Sequence, residues 1–201
     1  MGEDTFSNQK AKSMDDLISV IRACRVCEDF LEPNPVLQAS SQSKILVVGQ
    51  APGRKVHLTG IPWNDASGQA LRDWLGVTPE EFYDTNKFAI VPMGFCYPGK
   101  GPSGDLPPSK VCAPLWHGNL IEKIENLELI LLIGQYAQKY YLKNGYKTLT
   151  KNVSHYHEFL PKYFPLPHPS PRNFIWQNKN PWFKTDVLPS LKEKIRHILS
   201  K

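Results

Sequence analysis

The chain has no apolar run approaching the roughly 20 residues needed to span a bilayer, which excludes a helical membrane protein. It has no internal repeat, no low-complexity tract and no linker long enough to divide it. Its polar N-terminus lacks the apolar core of a signal peptide, so a cytoplasmic location is the expectation. Charge of one sign is not concentrated either. A formal net charge of +5 suits an acidic partner such as a nucleic-acid backbone, yet many soluble proteins carry as much. Cysteine is scarce, with four in 201 residues. In a reducing compartment those thiols point to a metal or cluster before they point to disulfides.

What is present is the composition of a globular domain, 41% hydrophobic and 11% aromatic. The expectation is a frayed segment over residues 1–12 followed by one domain over 13–201. Eighteen prolines cluster at Pro98–Pro108 and Pro161–Pro181, which predicts long ordered loops around a compact sheet. Apolar residues at Met14, Leu17, Ile18 and Ile21 predict an amphipathic helix from Met14 to Cys24. The short apolar runs Lys44–Gly49, Lys87–Val91 and Leu127–Gly134 read as buried parallel strands. Tyr163–Pro167 is a fourth strand, and its prolines suggest an edge. Helices are expected at Ser67–Leu75, stopped by Gly76, and around Pro114–Ile124, Gln135–Leu142 and Val187–Leu199. Thr78-Pro79-Glu80-Glu81 has the residues of a capping box. The alternation predicts an α/β fold, a three-layer α/β/α sandwich around a mostly parallel four-stranded sheet.

In such folds ligands sit beyond the carboxyl ends of the strands. Two loops leave that edge. The first is Gly49-Gln50-Ala51-Pro52-Gly53, running on through His57 to Trp63-Asn64-Asp65; its glycines permit close approach and Pro52 stiffens the turn. The second is His168-Pro169-Ser170-Pro171-Arg172-Asn173, whose prolines restrict the backbone around the histidine. Ser170, Arg172 and nearby backbone N–H groups suit phosphate contacts. Taken singly, the first loop is an ordinary strand-to-helix turn and the second a structural proline-rich loop.

Taken as a pair in this order, the loops resemble the uracil-DNA glycosylase superfamily. The His168–Asn173 segment and Thr59-Gly60-Ile61-Pro62 look like its single-strand-selective monofunctional branch. Gly49–Gly53 and the cysteine layout look like its iron–sulfur, family 4 branch. The resemblance runs from about Ala23 to Trp182. It implies hydrolysis of the N-glycosidic bond of uracil or another deaminated base in DNA, by a monomer that flips the nucleotide out. A binding or damage-sensing module on the same fold is the alternative, because Gln50 and Ala51 stand where the family's branches place carboxylates or an asparagine.

The resemblance assigns roles residue by residue. Asp65 takes the water-activating role, against a plain helix-capping role that Ser67 is also able to fill. His168 donates a hydrogen bond to the leaving uracil, for which neutral imidazole suffices. Trp63 stacks on the base, or else packs in the core; Gln50 and the Ala51 N–H hold the base edge. His57 joins the pocket or lies in a solvated turn. Ser170, Arg172 and Asn173 contact DNA. Arg172, Phe174 and Trp176 are candidates to fill the gap left by the flipped base. Pro92 occupies the position of the family's uracil-reading asparagine. Cys24, Cys27, Cys96 and Cys112 repeat the spacing of the iron–sulfur branch and imply a [4Fe–4S] cluster with a structural role. Zinc, or four free thiols, remain open beside it.

Overall fold

Strand β1 (Ile45–Val48) is buried along its whole length, which is what four consecutive apolar residues require of a strand covered on both faces. The computed structural model describes residues 11–102 and 104–201, so the segment expected to fray lies, apart from Ala11 and Lys12, outside the described residues. β1 pairs in parallel with β2 (Phe88–Ile90) on one side and β5 (Leu129–Ile133) on the other. β5 pairs in parallel with β6 (Tyr163–Leu166), giving the order β2-β1-β5-β6. The expected four-stranded sheet is present, and all its pairings are parallel. Pro165 faces Leu132 from β6, the edge strand, where sheets tolerate proline. The other edge is closed by Gln38, which exchanges backbone hydrogen bonds with Ile90 at 3.0 and 2.7 Å.

Alternate side chains of the sheet feed two separate cores. Leu46, Val48, Ile130 and Leu132 meet α1 (Met14–Arg22), a turn at Ala113–His117 continuing into α5 (Gly118–Glu122), and α6 (Gly134–Tyr141). Ile45, Val47, Leu129 and Leu131 meet α3 (Ala66–Leu75), α4 (Pro79–Tyr83), α7 (Leu149–Ser154) and α9 (Leu188–Leu199). This is the three-layer α/β/α arrangement. Thr78 and Glu81 form the expected capping box on α4, and Ser13 and Asp16 form another on α1. Gly76, at φ 70°, ends α3 in the left-handed conformation.

Three short helices and one hairpin were not foreseen. They are α2 (Arg54–Thr59), α7, α8 (Phe174–Lys179), and the antiparallel pair β3 (Lys100–Gly101) and β4 (Gly104–Asp105). Helices of six residues show barely two turns of periodicity, so a pattern search passes over them. Among the described residues no helix is long and apolar enough to cross a membrane.

One buried amide sets the sheet edge that the loops leave. Gln138 of α6 donates from Nε2 to the carbonyls of Leu132 (3.3 Å) and Leu166 (3.0 Å), tying together the ends of β5 and β6. Its Oε1 accepts from Asn152 Nδ2 at 3.1 Å, and Asn152 Oδ1 accepts from the Tyr146 N–H at 2.7 Å. Gln138 is 2% exposed, so no water stands ready to replace it. Gln138→Leu would leave two carbonyls and an amide unsatisfied and should cost about 3 kcal/mol, read as a lower urea midpoint at unchanged m-value.

Candidate active site

A cavity of about 580 Å³ opens at the carboxyl edge of the sheet and is lined by both loops. Gln50, Ala51, Trp63 and Asp65 come from the first loop, and His168, Ser170 and Arg172 from the second. The two segments are over a hundred residues apart in the chain. Parallel pairing of β1 with β5, and of β5 with β6, brings their ends together.

Trp63 forms a wall held by unusual backbone geometry. Its φ is +55°, rare for a bulky side chain. A Cβ on Gly49 would stand 2.8 Å from the indole Cζ2, and one on Gly68 would stand 1.7 Å from the Trp63 carbonyl oxygen. Glycine at both places is therefore a steric necessity. The indole lies beside the His168 ring, with centroids 5.7 Å apart and planes at 33°.

His168 follows β6 directly. Its Nδ1 accepts a hydrogen bond from the Ser170 N–H at 3.1 Å, so in the neutral ring the proton resides on Nε2. Burial holds its pKa below the usual histidine value, and the charge of Asp65 works in the opposite direction. Asp65 is the N-cap of α3: Oδ1 accepts the Gly68 N–H at 2.8 Å. The capping and pocket-lining alternatives thus coincide in one residue, with Oδ2 left for another partner. Ser67 lines the cavity and does not take the cap.

The other candidates divide. Gln50 lines the cavity and donates from Nε2 to the Leu106 carbonyl at 3.4 Å, touching the β3–β4 hairpin. Ser170 Oγ accepts the Arg172 N–H at 3.3 Å and so caps a short turn, while the Arg172 side chain is exposed at the rim. Asn173 is turned inward, donating to the His168 carbonyl at 2.9 Å, and does not line the cavity. His57 is buried, not solvated: it pairs with Glu32 at 3.4 Å on α2, outside the cavity lining. Phe174 is 58% exposed beside Arg172. Trp176 instead packs on Trp182 and Phe183 and donates to Thr150 at 2.9 Å, so it is unavailable as a wedge.

The hairpin supplies residues that the sequence reading passed over. Lys100 and Asp105 line the cavity, and the Tyr97 hydroxyl reaches Asp105 at 3.3 Å. With Arg54 and Arg172, Lys100 puts three exposed cations around an opening that contains two carboxylates. The glycine-rich run Gly99–Gly104 was the available signal for a hairpin. Beneath the floor, His117 Nε2 donates to the Pro92 carbonyl at 3.0 Å and Nδ1 accepts from the Tyr141 hydroxyl at 2.6 Å.

The four cysteines are free thiols gathered in one neighbourhood. Burial pushes the Cys96 thiol up to about 11, with Cys112, Cys27 and Cys24 adding to the shift and the Asn34 backbone amide opposing it. Cys27 Sγ lies 3.3 Å from Ser109 Oγ. Four soft donors from residues 24–27 and 96–112, none of them in a disulfide, suit a thiolate-bound group in donor chemistry. Among the described residues, no three His, Cys, Asp or Glu side chains are grouped so as to hold a metal ion.

The family described as the uracil DNA glycosylase superfamily matches residues 37–192 of this chain, a span containing both loops and the later two cysteines. The chain is also similar to the Type-4 uracil-DNA glycosylase of Archaeoglobus fulgidus, at 32% identity over 80 residues. That match covers 37% of this chain and 40% of that protein, so the chain spans less than half of the relative's length.

His117 makes stability pH-dependent. Burial lowers its pKa to about 4, from 6.5 for a free imidazole, so the unfolded chain takes up the proton first. Its contribution is complete above pH 6.5 and is lost as pH falls through about 4. Unfolding free energy should drop by about 3 kcal/mol over that window, and His117→Gln should flatten the slope in denaturant titrations.

Proposed function

The chain belongs to the uracil DNA glycosylase superfamily, and from that premise we propose that it is a monofunctional DNA glycosylase acting on uracil or another deaminated base. The single observation that carries this reading is the tautomer of His168. With Nδ1 engaged by the Ser170 N–H, the Nε2 proton is the one free to be donated in the cavity, opposite a chemistry that leaves a base anion. Asp65, with Oδ2 unengaged by the Gly68 N–H, orients water toward the sugar carbon and favours its positive charge. Water adds to that carbon as the N-glycosidic bond breaks, releasing the base and leaving an abasic site.

A base inside a duplex is out of reach, so the nucleotide is flipped or already single-stranded. Trp63 stacks on the base, and Gln50 and the Ala51 N–H hold its edge. Arg172, Arg54 and Lys100 receive phosphates, assisted by Ser170. Exposed Phe174 enters the vacated stack. Asn173 serves by fixing the His168 carbonyl. The protein acts as a monomer in the cytoplasm.

For the thiol site we propose a [4Fe–4S] cluster held by Cys24, Cys27, Cys96 and Cys112. Bound there it would supply positive charge to four sulfurs, of which those of Cys27 and Cys112 are buried and those of Cys24 and Cys96 half-buried, and would tie the N-terminal segment to the loop after β2, with no part in the hydrolysis.

Purified protein incubated with single-stranded and duplex oligonucleotides carrying uracil, hypoxanthine or xanthine, then treated with alkali, should give cleavage at the lesion. His168→Ala and Asp65→Ala should each slow it at least about 100-fold. No cleavage of any substrate, with DNA binding retained, would establish the non-enzymatic alternative. Because the neutral imidazole is the working form and its pKa is lowered, the rate should stay level as pH falls from neutrality through 6.5. Anaerobically purified protein should be brown and contain iron, and Cys96→Ser should lose both colour and iron. A colourless, zinc-containing preparation would replace the cluster with a zinc site.

A further inference from the structure

Arg72 is the one buried arginine among the described residues, at 8% exposure on α3. It forms no ion pair there, and its Nε has no hydrogen-bond partner. Burying a cation without a carboxylate carries a large desolvation cost, which an apolar residue at this position would avoid. What the guanidinium touches is specific. Nη1 lies 3.4 Å from both the Trp63 carbonyl and the Tyr83 hydroxyl, and Nη2 lies 3.4 Å from Gln69 Oε1. Its Cζ lies 5.6 Å from the Phe82 ring centre and 5.8 Å from that of Tyr83, close enough for cation–π attraction.

Tyr83 extends the grip by one residue. Its hydroxyl accepts from Arg72 and donates to the Pro62 carbonyl at 3.0 Å. Two successive carbonyls, Pro62 and Trp63, are therefore each held from α3 and α4. They flank the peptide at which Trp63 takes its positive φ. A left-handed tryptophan persists only where its surroundings over-determine it. Two glycines make room for that conformation, but room does not select it. The donors do.

We propose that Arg72 and Tyr83 are positioning residues that lock the Pro62–Trp63 turn, so that the indole wall beside His168 and the Asp65 carboxylate two residues on are in place before DNA binds. This deepens the glycosylase reading and rests on it for its kinetic consequence. Misplacing a reacting group by about 1 Å costs on the order of 100-fold in rate. Binding of abasic-site DNA, which has no base to stack on Trp63, depends instead on rim cations that the lock does not touch.

Tyr83→Phe is the sharpest test, since it removes one hydroxyl and keeps the ring. It should lower Tm by only a few °C. Single-turnover excision should fall 10- to 100-fold, while the Kd for abasic-site DNA stays within twofold. Arg72→Lys keeps a cation with donors for the Trp63 carbonyl and the Tyr83 hydroxyl but loses the planar fork that also reaches Gln69; its rate should fall between wild type and Arg72→Met. A readout independent of activity is the proton spectrum of the His168 imidazole, which Trp63 shifts through its ring current. Those resonances should move in Tyr83→Phe while amide signals of β1 and β5 stay put. Wild-type excision and unmoved His168 signals in Tyr83→Phe would overturn the proposal, even if Arg72→Met fails to fold. An inactive wild type would instead remove the glycosylase reading, and the His168 resonances would still decide whether the lock exists.

Discussion

Every functional residue in this protein depends on four parallel strands finishing at one edge. Parallel pairing of β1 with β2 and β5, and of β5 with β6, means that the segments after Val48, Ile90 and Leu166 emerge side by side. The sheet achieves this because both of its faces are covered; β1 and β5 are buried along their whole length. Gln138 closes the arrangement by binding the Leu132 carbonyl near the end of β5 and the Leu166 carbonyl at the end of β6. A slip of one residue in β6 would exchange its two faces and move His168 away from Trp63.

On that edge the cavity is built from restricted parts. Gly49 and Gly68 let the Trp63 indole and carbonyl approach backbone where any side chain would collide. His168 is fixed at both ends, its Nδ1 by the Ser170 N–H and its carbonyl by Asn173. The outcome is a neutral donor and a carboxylate set in a concave wall of mixed polar and apolar residues, under a rim of exposed cations. Preorganisation of this kind acts on charge as it develops, and requires no rearrangement when it does. The buried His117–Pro92 contact serves the same end from below, keeping the floor's carbonyl occupied by protein.

The cysteine neighbourhood adjoins the first hydrophobic core, against which Cys24 packs. Residues 24–27 follow the end of the first helix, and Cys96 and Cys112 bracket the hairpin loop that supplies Tyr97, Lys100 and Asp105 to the cavity. The loop between Cys96 and Cys112 therefore forms one side of the pocket mouth. Asn34 connects the two regions as well, through its amide near Cys96 and its side-chain bond to the His57 carbonyl at 2.7 Å.

Much of this was legible in the chain itself. Strands buried on both faces must be continuously apolar, so β1, β2 and β5 announce themselves. Caps act within four residues, so Thr78 and Gly76 mark their helix ends without reference to anything distant. The two loops and the four thiols were visible as motifs for the same reason. Short helices such as α2 and α8 were not, because six residues carry too little periodicity to rise above chance. Nor did the chain reveal that His57 is buried against Glu32, that Trp176 is packed while Phe174 is exposed, or that Arg72 lies under Trp63. Each of those depends on which distant segment comes to lie alongside. Local chemistry is written in neighbouring residues; the direction in which a side chain faces is decided by packing between segments that only the folded chain brings together.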